Sequence, residues 1–130
     1  MPAVRAISLV PSITESMLAL GVTPLACTRF CEQPAFTHVG GTKDPDIDAI
    51  VALAPDVVLM DREENRRDDA ERLAELGIDV FATHVTRVDD VPEMLAALAD
   101  RLGVAAPPTA ELSALEPLGL RAFVAIWRRP

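Results

Sequence analysis

Few side chains in this 130-residue chain are able to do chemistry, and they fall in short segments between apolar runs. Cys27, Cys31, His38 and His84 are its only cysteines and histidines, and the three residues between Cys27 and Cys31 exceed the two-residue gap of common zinc knuckles. No resident metal is expected. Nucleophilic catalysis would need Ser12 or Cys31 to find His84, and no local spacing supplies that pairing. Ser12 stands three residues before Glu15, the spacing of a helix capping box, which accounts for it without a nucleophile. Glu63 and Glu64 are adjacent, and neighbours in a loop need not converge as an acid and base. No residue is therefore given a catalytic role. Six of the twelve basic residues, Arg29, Lys43, Arg62, Arg66, Arg67 and Arg87, lie in loops. Such clustering would attract carboxylates or phosphate. It also arises when charged residues simply take exposed positions, and Asp61, Glu63 and Glu64 neutralise part of it. Gly40, Gly41 and Thr42 can bring backbone amides to an anion, but they form neither a Walker loop nor a dinucleotide fingerprint and read first as a plain turn.

The elements that must position these residues follow from hydrophobic spacing. Residues 5–10 (RAISLV) read as a strand running into a helix capped at Ser12, with Ile13, Met17 and Leu20 on one side and Gly21 at its end. Residues 25–28 read as a weak strand and 29–43 as a loop. Asp44 and Pro45 then read as N-cap and first-turn proline of a helix bearing Ile47, Ile50, Val51 and Ala54. Residues 56–60 (DVVLM) have the unbroken apolar pattern of a strand covered on both faces. A helix with Ala70, Leu73, Ala74 and Leu76 ends at Gly77, residues 79–83 (DVFAT) form the next strand, and Val88, Val91, Leu95, Leu98 and Leu102 mark another amphipathic helix. This alternation predicts an α/β fold, an open and mainly parallel sheet with helices on both faces. Residues 1–104 would form that lobe. Residues 109–116 would form a short helix and 121–127 (RAFVAIW) a strongly apolar strand.

With 50% hydrophobic and 25% charged residues the chain is ordinary globular material. A net charge of −8 disfavours nucleic acid and anionic membrane surfaces as partners. The longest apolar stretch, residues 49–60, is broken by Pro55 and Asp56 and does not match a bilayer span. The first residues lack the order of a secretory signal, so the chain is either cytoplasmic or written without its signal.

In an open parallel sheet, ligands collect beyond the carboxyl ends of the strands. That face would carry Pro11 and Ser12, Arg29 and Phe30, Gly41 and Thr42, Arg62 and Asn65, and His84. Phe30 would stack on a ligand, Gly41 would allow close backbone approach, and Arg62 with Asn65 would hydrogen-bond peripheral amides or carboxylates.

Residues 8–15 (SLVPSITE), 18–21 (LALG), 28–31 (TRFC), 39–42 (VGGT), 50–59 (IVALAPDVVL) and 76–80 (LGIDV) give the chain a resemblance. Their order and spacing are similar to the amino-terminal lobe of ABC-importer substrate-binding proteins of the cobalamin and siderophore type. The resemblance implies a periplasmic or cell-envelope capture protein without enzymatic activity, built of two lobes, with residues 105–120 as a linker or shortened connecting helix and 121–130 as the first strand of the second lobe. Its ligand would be a corrinoid, haem or ferric siderophore, a metal chelate that brings its own cobalt or iron and needs no cofactor. It also implies docking onto an importer permease through a carboxylate of the lobe, for which Glu63, Glu64 and Asp68 are placed. One lobe offers one wall of a cleft, so weak binding is expected. Apolar Phe123, Val124, Ile126 and Trp127 would favour self-association through an unpaired strand. The rival reading is a small cytoplasmic α/β enzyme acting on an anionic metabolite at the same face; a pairing of Cys31 with His84 would favour it.

Overall fold

A computed structural model describes residues 3–108 and 119–122. Among them, strands β1 (Ala6–Ser8), β2 (Val57–Asp61) and β3 (Val80–Thr83) form one sheet in the order β1-β2-β3, with both pairings parallel. The helices are α1 (Pro11–Ala19), α2 (Ile47–Leu53), α3 (Arg67–Glu75) and α4 (Val91–Leu102), the last preceded by a 3-10 turn at Val88–Asp90.

The central strand shows why the sheet is covered twice. Successive side chains of a strand point to opposite faces. Val57 and Leu59 pack with Val10, Ile13 and Met17 at α1 and with Leu98 and Leu102 of α4. Val58 and Met60 pack on the other side with Ile50 of α2 and Leu73 of α3. All four strand residues are at most 2% exposed, so an alternating pattern would have placed polar groups in one core or the other. The expected architecture is present.

Residues 25–28 touch the sheet more lightly than a full strand would. One parallel bridge joins Ala26 to Ile7; the Ser8 N–H donates to Ala26 O at 3.1 Å and the Leu25 N–H to Ala6 O at 2.7 Å. This segment flanks β1 on the side away from β2. The chain therefore winds outward from β1 in two directions, with α1 on one face and α2 and α3 on the other. The opening of such a sheet lies at the carboxyl end of that strand, where Leu9, Val10 and Pro11 leave it.

Two caps differ from the sequence reading. Pro11 is already helical and Val10 is the N-cap of α1, without a side-chain cap bond. A proline presets its own φ and has no N–H to satisfy, so the helix begins two residues early and Ser12 falls inside it, exposed, where its main-chain oxygen accepts from Ser16 Oγ at 2.9 Å. The N-cap of α2 is Asp46, whose Oδ1 accepts from the Ala49 N–H at 3.0 Å; Asp44 is drawn instead to Arg29. At the other end of α2, Arg5 donates to Leu53 O at 2.6 Å and to Ala54 O at 3.4 Å, holding carbonyls that the helix leaves free.

The expected helix over 109–116, and Phe123, Val124, Ile126 and Trp127 of the expected terminal strand, lie outside the described residues. Substitution separates the two caps: Asp46→Ala should cost about 1 kcal/mol in urea unfolding, and Ser12→Ala less than about 0.5 kcal/mol. Equal costs would contradict the assignment of Val10 as N-cap.

Candidate functional site

The carboxyl ends of β1, β2 and β3 open onto one rim, and the rim is bound together by side chains of the loop after β2. Asn65 is 6% exposed. Its Nδ2 donates to Leu9 O at 3.1 Å and to Thr42 O at 3.0 Å, while its Oδ1 accepts from the Asp61 N–H at 2.8 Å. One carboxamide thus joins the exit of β1, the glycine loop and the exit of β2. Asp61 carries the link onward: its Oδ2 accepts from Thr83 Oγ1 at 2.7 Å and its Oδ1 from the Glu63 and Glu64 amides at 2.9 and 3.2 Å. The Arg62 N–H donates to Thr83 O at 3.0 Å, and Lys43 Nζ to Glu63 O at 2.8 Å. Beyond β3, Asp90 Oδ2 accepts from the Thr86 and Arg87 amides at 3.1 and 3.0 Å and fixes the turn that follows His84.

These bonds tune the carboxylates. Partial burial pushes the Asp61 carboxyl up, but hydrogen bonds from Thr83 and from the Glu63 and Glu64 amides, with His84 nearby, outweigh it and hold the group below its ordinary value. Asp90 is lowered by the amides of Thr86 and Arg87. Both carboxylates are ionised at neutral pH.

A second web anchors the loop that carries Phe30. Thr14 Oγ1 donates to Cys31 Sγ at 3.2 Å, Thr28 Oγ1 lies 3.2 Å from the same sulfur, and the Phe30 N–H donates to Thr28 Oγ1 at 3.3 Å. Cys27 and Cys31 are free and buried. Burial, then the neighbouring Cys31, pushes the Cys27 thiol up to about 12, so it stays protonated and inert. With Cys31 fixed below, Phe30 stands 54% exposed, and the Arg29 guanidinium lies 4.7 Å from its ring centroid. Arg29 pairs with Asp44 at 3.0 Å.

The geometry changes several sequence assignments. Asn65 was expected to meet a ligand, but both its amide hydrogens are spent inside the protein, and its place is beneath the rim. Gly41 was expected to admit a ligand close to its backbone. It is buried, and a Cβ there would press on the Asp44 carboxylate and lie 2.8 Å from an Arg29 guanidinium nitrogen, so its smallness makes room for that ion pair. Pro11 opens α1 and Thr42 gives its carbonyl to Asn65. Arg62 and His84 are exposed at the exits of β2 and β3, where cavities of about 510 and 460 Å³ flank the edge strand, the first beside Arg62 and Asn65, the second beside His84. Glu63, Glu64 and Asp68 are exposed, with no ion pair among the described residues. The pairing that would favour an enzyme is not formed: Cys31 Sγ meets Thr14 and Thr28, and no hydrogen bond joins it to His84 among the described residues. Sequence reasoning missed the linking role of Asp61 and the Thr14–Cys31–Thr28 anchor; an aspartate and an asparagine closing a short loop on their own backbone was the available signal for the first.

A doubly covered parallel sheet whose strand exits are tied into one polar rim defines the class, an α/β lobe of the kind that receives ligands at its strand ends. The sequence profile described as Periplasmic binding protein matches residues 7–107, and the chain belongs to that family. It is 33% identical over 101 residues to the vitamin B12-binding proteins of Yersinia pestis (strain Pestoides F) and Yersinia pseudotuberculosis serotype O:1b (strain IP 31758), covering 73% of this chain and 36% of each relative. The chain therefore spans little more than a third of the curated relatives it matches. Among solved structures it is similar to the periplasmic vitamin B12 binding protein BtuF of Vibrio cholerae, with a TM-score of 0.68 and 25% identity, over 76% of this chain and 41% of that one. The periplasmic heme binding protein from Pseudomonas aeruginosa shares the fold, with a TM-score of 0.70 at 22% identity over 79% and 39% of the two chains.

Asn65→Ala leaves the Leu9 and Thr42 carbonyls and the Asp61 amide without their partner, and should cost about 2–3 kcal/mol in urea unfolding. Because the Asp61 pKa is lowered in the fold, its contribution is present above the unfolded value of 3.8 and fades as pH falls through the lower folded value. Asp61→Asn should therefore flatten the loss of stability on acidification below pH ~4, measured by unfolding at stepped pH.

Proposed function

We propose that this chain is a ligand-holding lobe of the substrate-binding component of an ABC importer, and that its rim receives a metal chelate of the corrinoid, haem or ferric siderophore kind. The observation that carries the reading is the bonded rim. Loops from three strand exits are joined to one another by side-chain hydrogen bonds, within the stretch that matches the family. The relatives named for vitamin B12 and heme support the ligand class.

Capture at such a rim is physical rather than chemical. A loop already fixed loses little entropy when it meets a ligand, so contact free energy is retained as affinity. Phe30 supplies an exposed aromatic face, Arg62 a fork of N–H donors and His84 a polar group at the far end. The metal arrives with the ligand and leaves with it. Glu63, Glu64 and Asp68, exposed beside the same rim, would meet cationic side chains of an importer permease at the cell envelope.

Titration with cyanocobalamin, hemin and a ferric siderophore, followed by calorimetry, tests the reading. At least one should bind this 130-residue chain with micromolar or weaker affinity, because one wall leaves much of a large ligand wet. Joint replacement of Arg62 and His84 by alanine should weaken that binding by about tenfold, the effect of one or two lost polar contacts. Unchanged affinity would remove both residues from the site, and submicromolar binding would contradict the single-wall geometry.

A further inference from the structure

The rim's charge is opposite to the one its arginines suggest. Its segments, residues 9–12, 28–32, 40–46, 61–71 and 83–90, carry six arginine or lysine side chains against eleven carboxylates, a net charge of −5. The cations are largely spoken for. Arg29 pairs with Asp44 at 3.0 Å, Arg66 with Asp69 at 3.0 Å, Arg67 with Glu71 at 2.7 Å and Arg87 with Asp89 at 3.9 Å, while Lys43 is turned onto a backbone carbonyl. Arg62 alone among the six has no side-chain hydrogen bond or ion pair among the described residues. Glu63 and Glu64 follow it in the chain and Asp68 stands in the first turn of α3, all three without ion partners among the described residues, and Asp61 precedes it, kept ionised by its hydrogen bonds.

The stacking surface is neutral for the same reason. The Arg29 guanidinium covers one side of Phe30, but its charge is matched by Asp44, and Gly41 leaves the space in which that pair sits. What remains open on the rim is an uncharged aromatic face on the loop of residues 28–32 and one fork of donors at the exit of β2. A guanidinium has five N–H groups and no acceptor, so the partner it meets must offer oxygen acceptors. Carboxylates would offer them, yet each would also enter the field of the surrounding acids. At about 8 Å in water, one like-charge contact costs roughly a factor of two in affinity, and several such groups compound it.

On the ligand-holding reading given above, we propose that the rim selects chelates with a flat apolar face and an uncharged or cationic edge bearing amide carbonyls, and rejects chelates with free carboxylates or catecholates. Phe30 takes the flat face and Arg62 takes the carbonyls. The neighbouring carboxylates repel anionic competitors.

A matched pair isolates the charge: hemin and its dimethyl ester differ only in whether two carboxylates are free. Titrations with both, and with cyanocobalamin, would be run at about 20 and 200 mM salt, where the screening length falls from roughly 20 to 7 Å. The ester should bind about five- to tenfold tighter than hemin at low salt, with the gap narrowing at high salt because hemin binding improves, and cyanocobalamin should be insensitive to salt. The exposed double variant Glu63→Gln/Glu64→Gln should narrow the gap from the protein side, tightening hemin by about fivefold. Hemin binding tighter than its ester, and weakening with salt, would overturn the selectivity while leaving the ligand-holding reading in place. Binding of none of the three probes would overturn the selectivity, and failure of the ferric siderophore as well would overturn the ligand-holding reading.

Discussion

A single buried carboxamide holds the rim in shape. Leu9, Thr42 and Asp61 bring two carbonyls and an amide to one dry point from three separate stretches of chain, and such groups are costly if left unpaired. Asn65 is suited to that point because its side chain carries two donors and an acceptor on a short stem. Aspartate would set a charge against two carbonyl oxygens, and alanine would satisfy none of the three. The remaining features of the rim build outward from this junction: Asp61 passes the connection to β3, Lys43 ties the glycine loop to the loop after β2, and Asp90 closes the turn at the edge.

The consequence for function is preorganisation. The helices on both faces immobilise the strands, the strands fix where the loops begin, and the side-chain bonds fix where the loops go. On the proposed function, a ligand would then meet a surface that has already lost its conformational freedom. The same bonds consume polar groups that a reading of loop composition would offer to the ligand, leaving on the rim an exposed aromatic ring, a histidine and one guanidinium unpaired among the described residues, in a surplus of negative charge.

The fold was largely legible in the sequence because its main signals are local. The unbroken DVVLM run can satisfy only a strand buried on both faces, and the helical periodicity after it recurs with glycine at each end. The caps were less legible. Whether Val10 or Ser12 caps a helix is a choice of two residues, and whether Asp44 caps or forms an ion pair depends on Arg29, fifteen positions away in the chain. The site was half legible. The strand-end rule located its loops, and the family resemblance pointed to the same face, but Asn65 and Gly41 were given to the ligand when their partners are Leu9, Thr42, Arg29 and Asp44. A polar or small residue in a loop reads the same in both roles; only contacts distant in sequence separate them.

The central claim is that one rim, and no other surface of the described lobe, receives the ligand. Amide chemical-shift mapping during titration with cyanocobalamin tests it most directly. Shifts confined to the segments bearing Phe30, Thr42, Arg62 and His84 are the expected result. Shifts centred instead on the opposite end of the sheet, around Gly21, Gly77 and Gly103, would contradict it.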